Sequence, residues 1–185
     1  MRCLNVSSII SSFSNCTEAA AKTSAYVGVA MYALREMEDA IDDCVSGDTK
    51  RNLDSVQALD EAVAFYTGSL EGTDGKGSGV FVYSLAEKRC KDFRTCGATA
   101  DQADGVNAKV NLNIFSHFSQ MKVNIAKKDC IAARLDKDAI AKQLFIPMIQ
   151  GTIRYAYIQS QPDTDAKAES EGAAFAAAVL PIVAA

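Results

Sequence analysis

Asp60 and Glu61 stand side by side, Tyr66 follows shortly after, and Glu71 lies just past a Gly-Ser-Leu turn. Upstream, Glu36 and Asp39 form an ExxD pair, and towards the far end Glu169 and Glu171 flank a serine. Carboxylate and phenolate oxygens are the donors that hard cations such as ferric iron, calcium or magnesium prefer. Helical bundles build such sites by pointing acids inward from several helices. Glu61, Asp60, Glu71, Tyr66, Glu36, Asp39, Glu169 and Glu171 are therefore the candidate metal ligands. Each acid pair by itself also suits a solvated or salt-bridged helix face. Asp60 and Glu71 equally suit caps or internal anchors of the glycine-rich turn. Glu61 differs, because it interrupts an apolar stripe of Ala58, Ala62 and Phe65 and is expected to be shielded from water.

Other chemistries find little to work with. The chain has a single histidine, His117 in NIFSHFSQM, with no nucleophile placed beside it; a packed or surface role is expected. There is no HExxH pair and no dinucleotide fingerprint. TGSLEGTDGKGSG lacks the spacing of a phosphate loop, so its glycines serve turns. The expectation is a binding protein, not an enzyme.

These side chains must be positioned by helices. Alanine is abundant, proline occurs three times and tryptophan is absent. From Thr17, a candidate N-cap, apolar residues recur at helical spacing through Tyr26, Ala30, Ala33, Met37, Ile41 and Cys44 as far as Gly47, with Glu36 and Glu38 at the edges of the stripe. A second helix starts near Asn52 or Asp54 and is apolar on two sides, which makes it central. VFVYSLAEKRCKDF reads as the third, ending around Arg94 to Gly97, and GATADQADG as a loop. Val106 to Lys128 forms the fourth, and a fifth starts near Asp136, with Pro147 kinking or splitting it. DAKAESEGAAFAAAVLPIVAA forms the last. No segment alternates like a strand, so the expected fold is all-α, a bundle of five or six helices with short loops.

The 185 residues suffice for a single helical domain spanning 1–185. A net charge of −4 and a pI near 5.0 argue against nucleic acid or anionic lipid as partners. No apolar run is long enough to insert into a membrane. Six cysteines, none in a CxxC pair, permit three disulfides and so an oxidising compartment. Sequons at Asn5 and Asn15 agree with secretion. The start lacks the pattern of a signal peptide, and the end is still apolar, so a fragment or one repeat of a longer secreted protein is expected.

Three blocks, DEAVAFYTGSLEG, YSLAEKRCKDFRTC and AESEGAAFAAAVLP, resemble the signature blocks of the algal iron-assimilation proteins, also described as high-CO2-inducible periplasmic proteins. The blocks occur in the expected order, within the stretch from about Met31 to Ile182. The resemblance implies a secreted, periplasmic or cell-surface protein that binds iron for uptake and works with a membrane uptake component. It places the interest on Asp60, Glu61, Tyr66, Glu71, Glu87, Glu169 and Glu171. The family's acidic ExxE-like motif has no strict counterpart; Glu36-Met37-Glu38-Asp39 stands in its place. The resemblance also implies disulfides at Cys90 and Cys96, with each other or with remote partners. A looser likeness to imelysin-type iron-uptake proteins lacks their histidine-glutamate motif and is analogy at the level of fold. Two further readings are a structural or adhesive cell-surface module and a protein linked to the inorganic-carbon response.

Overall fold

A computed structural model describes residues 9–47, 55–71, 77–97 and 107–184, with side chains from residue 16 onward. Cys3, the sequon at Asn5, the proposed helix start at Asn52 or Asp54 and most of the GATADQADG loop lie outside the described residues. Within them the protein is all-α: α1 (Ile9–Thr23), a π-helical segment (Ser24–Val29), α2 (Ala30–Ser46), α3 (Ser55–Thr67), a 3-10 turn (Ser69–Glu71), α4 (Val82–Asp92), α5 (Lys109–Ala126), α6 (Cys130–Leu144), α7 (Ile146–Gln159) and α8 (Ala166–Val183). Taking α1 through α2 as one continuous rod and α6–α7 as one broken rod, these segments form the expected bundle. The extended pairing is a single antiparallel bridge between Cys96 and Ala108.

The first rod begins earlier than its sequence suggests, at Ile9, so Thr17 lies inside the helix and does not cap it. Its π segment widens the helix and shifts the phase of the buried face. Before the shift the rod packs on α8; after it, α2 packs on α3 and α6. Tyr26 of the π segment stacks on Phe175 at 4.9 Å, and Tyr155 lies 5.6 Å from the other end of that stack. The rod stops at Gly47, whose φ of 66° is the left-handed conformation that a glycine C-cap supplies without a Cβ clash.

The other helix boundaries have identifiable causes. α6 starts at Cys130, not near Asp136, because the Asp129 carboxylate accepts a hydrogen bond from Ala132 N and caps the helix. Asp165 does the same for α8 through Ala168 N at 2.7 Å. Pro147 divides α6 from α7 at Phe145, since a proline cannot supply the N–H that would continue the ladder. Pro181, by contrast, lies within α8.

Met37, Ile41, Leu59, Tyr66, Ile114, Met121, Ile140, Leu144, Met148 and Phe175 are fully buried and belong to one apolar cluster. Two disulfides staple it. Cys44 at the end of α2 joins Cys130 at the start of α6, and Cys90 of α4 joins Cys96 just beyond that helix. Cys16 is also disulfide-bonded. Among the described residues no cysteine is free. Disulfides in this number belong to an oxidising environment. No helix among the described residues is long and apolar enough to cross a membrane.

Candidate functional site

The acids singled out above are distributed over three places. At the α2–α3 junction, Glu36 is only 8% exposed, although it lies at the edge of its stripe. Burial raises its pKa, and the nearby charges of Glu61 and Asp39 raise it further, against a smaller opposing effect from Arg35. Glu61 is half-buried, less shielded than the flanking apolar stripe implies: Ala58 and Ala62 are buried, but Phe65 is half-open and packs edge-on against the exposed Tyr32. Asp39 is held from its own helix by Arg35, at 2.6 and 3.1 Å. Asp60, on the other side of α3, is mostly exposed and meets Lys122 of α5 at 3.1 Å.

The second place is the interior between α3, α4 and α5. Tyr66 is fully buried and donates its hydroxyl to Asn111 Oδ1. Asn111 Nδ2 donates in turn to Glu87 Oε1 at 2.6 Å and to the Tyr83 carbonyl at 3.2 Å. Glu87 also accepts from Ala108 N at 2.9 Å, so its carboxylate holds the chain entering α5. Burial, reinforced by Glu87 and Tyr83, pushes the Tyr66 phenol well above its ordinary pKa. The phenolate that would coordinate ferric iron is correspondingly disfavoured there. Glu71 is buried nearby in the 3-10 turn, under the backbone of the glycine-rich connection. Gly77 N donates to the Glu71 carbonyl at 2.8 Å, and the Ser84 hydroxyl is hydrogen-bonded to the Glu71 carboxyl. Gly79 approaches so closely that a Cβ there would fall 1.8 Å from Glu71 Oε1. That oxygen has no hydrogen-bond partner among the described residues, and burial raises the pKa of the group. Glu71 thus anchors the turn, with backbone in the space a cation would need.

The third place is the α1–α8 junction. Glu171 is buried and lies 3.5 Å from Lys22 Nζ, which also reaches Glu18 at 3.3 Å. The Glu18 and Glu171 carboxyls are hydrogen-bonded to each other; this contact and then Lys22 lower the Glu18 pKa against the cost of burial. The Tyr155 hydroxyl is hydrogen-bonded to Glu171, and burial is the larger cause of that phenol's raised pKa. Tyr26 is pushed up to about 12, chiefly by burial. Glu169, one turn off this cluster, is exposed in the first turn of α8.

Among the described residues, no three histidine, cysteine, aspartate or glutamate side chains come together as a metal cage. Of the candidate set, Glu61 and Asp39 lie within electrostatic reach of Glu36, whose raised pKa owes most to burial, and Asp39 is held in an ion pair with Arg35.

Two polar groupings were not anticipated from the sequence. Asn111 occupies a position in the stripe Asn111, Ile114, Phe118, Met121 and Ile125, all buried. A lone amide at an apolar heptad position is the signal that finds it. His117 Nδ1 lies 3.0 Å from buried Asp136, whose other oxygen accepts from Asn124 at 2.8 Å. The histidine, expected in a packed or surface role, is half-buried, and its partner comes from the next helix. Compared with family models, with curated proteins and with solved structures, the chain gives no match.

Proposed function

We propose that the chain is an extracytoplasmic iron-assimilation protein, which gathers iron in the periplasm or at the cell surface for a membrane uptake component and catalyses no reaction itself. The observation that carries this reading is the ordered resemblance of DEAVAFYTGSLEG, YSLAEKRCKDFRTC and AESEGAAFAAAVLP to the algal iron-assimilation proteins. The disulfides support the compartment, since they persist where thiols are oxidised.

The chemistry falls to Glu36 and Glu61, with Asp39 at their flank. Carboxylates within electrostatic reach of each other repel until a cation neutralises them, and hard oxygen donors suit iron as cargo. A two-carboxylate seat leaves most of an ion's coordination to water, which fits an exchangeable site more than a store. Asp60, Tyr66, Glu71, Glu169 and Glu171 stand outside this seat: all but exposed Glu169 are engaged by Lys122, Asn111, Ser84 or Lys22. Protons compete for ionised carboxylates, so affinity falls on acidification, starting above the ordinary carboxylate range because the Glu36 pKa is raised.

Calorimetric titration with ferrous and ferric iron tests this, using untagged protein from an oxidising host. The wild type binds, and Glu36→Gln and Glu61→Ala each weaken binding by about tenfold, the scale of losing one charged ligand. Equal binding by the wild type and Glu61→Ala removes Glu61 from the site; no binding by the wild type removes iron from the function.

A further inference from the structure

A crevice of about 210 Å3 opens where the α6–α7 rod breaks. Its polar side chains come from four parts of the chain. Gln143 comes from the last turn of α6, Ile146 and Gln150 from the first turns of α7, Lys109 and Asn113 from α5, and Thr95 from the segment beyond α4. Thr95 is fixed by its backbone: its N–H donates to Cys90 O at 2.8 Å, its carbonyl accepts from Lys109 N at 3.0 Å, and the Cys90–Cys96 disulfide closes the segment around it.

The polar side chains at this crevice exceed what the fold uses. Gln150 Nε2 makes one long contact, 3.5 Å, to Thr95 Oγ1. Among the described residues the side chains of Lys109, Asn113 and Gln143 have no hydrogen-bond or ion-pair partner. The floor is apolar, formed by Ala86 and Val110 with Ile146. A concave site with an apolar floor and a few convergent polar groups is the ordinary form of a small-molecule pocket.

The donors define the ligand. No acidic side chain lines the crevice, and the ammonium of Lys109 is its formal charge. Three carboxamides offer both N–H donors and carbonyl acceptors, so they can bind a carboxylate oxygen and a hydroxyl together.

We propose that this crevice binds a small hydroxycarboxylate anion, its carboxylate at Lys109 and its hydroxyl among Asn113, Gln143 and Gln150. The site is separate from Glu36 and Glu61 and does not depend on the iron reading.

Heteronuclear NMR titration of the full chain with L-malate, in metal-free buffer, tests the proposal. Saturable shifts are expected at Thr95, Lys109, Asn113, Gln143 and Gln150. Succinate, the same skeleton without the hydroxyl, is expected to bind about tenfold more weakly, and neutral erythritol weaker still. Lys109→Met and Gln143→Leu, both outside the core, are expected to lose about tenfold in malate affinity while keeping wild-type spectra elsewhere. Absence of saturable shifts, shifts centred elsewhere, equal malate and succinate affinity, or unchanged binding by folded Lys109→Met would each overturn it.

Discussion

At the α1–α8 junction, Glu171 meets Lys22, Tyr155 and the carboxyl of Glu18. At the α2–α3 junction, buried Glu36 feels the charges of Glu61 and Asp39, and the guanidinium in reach is already committed to Asp39. Both junctions bury a glutamate to a similar depth. What separates them is the supply of counter-charge and donors. The first arrangement spends its acids on holding helices together; the second leaves a buried carboxyl beside like charge.

The two junctions have opposite signs in pH. Glu18 has a lowered pKa, so its contribution is present above the ordinary carboxylate value and lost as pH falls through the lowered one. Glu36 has a raised pKa, so the protein is more stable when it is protonated, and that advantage is lost as pH rises through the raised value. Glu71 acts in the same direction as Glu36, burial again being the largest cause.

The largest expected effect comes from removing what holds the α2 side together despite its repulsion. Cys44→Ser with Cys130→Ser opens a loop of 86 residues, and the chain-entropy relation puts the loss at about 4 to 5 kcal/mol. Urea unfolding of the double variant measures it; a loss below about 1 kcal/mol would mean that the packing of α2 on α3 and α6 carries that side alone. Next comes Glu171→Ala, which leaves Lys22 and Tyr155 without their buried partner and is expected to cost about 2 to 3 kcal/mol at neutral pH. Thermal denaturation reads that loss, and an unchanged midpoint would reduce the α1–α8 cluster to a spectator.

Glu36→Gln should move the other way. Relieving the like-charge contact is expected to add roughly 1 kcal/mol at pH 7, or about 2 to 4 °C in the midpoint, with no gain near pH 4. Stability measured across that pH range would show the gap closing on acidification, and a destabilised variant at pH 7 would erase the contrast between the junctions. The smallest effect belongs to Asp60→Ala. Its pair with Lys122 is exposed on both sides, so a change under about 0.5 kcal/mol is expected, with metal titration like that of the wild type. Weakened metal binding by this variant would return Asp60 to the ligand set.

How much of this was legible varied with the reach of the signal. The helix stripe through Met37 and Ile41, the stop at Gly47 and the break at Pro147 were readable, since each depends on residues within a turn or two. The early start of α1 was not. Neither was the Asp129 cap, which moved the start of α6 ahead of the apolar pattern from which it was read. At the candidate site the apolar flanks of Glu61 point to a shielded acid, but Glu61 is only half-buried and Glu36 is the more buried acid. Its depth comes from α3 closing over α2, and no pattern within α2 records that.

The chain by itself determined an all-α bundle, the glycine and proline that stop its helices at Gly47 and Pro147, and a supply of acids able to meet a hard cation. Periodicity and capping act over a few residues, so they survive in the linear order. Only the tertiary structure decided which acids would be matched: Lys22 lies far from Glu171 in sequence, Lys122 far from Asp60, and Asn111 far from Tyr66. Coulombic and hydrogen-bond partners are set by distance in space, and folding alone brings those pairs within reach while leaving buried Glu36 under the like charge of Glu61 and Asp39.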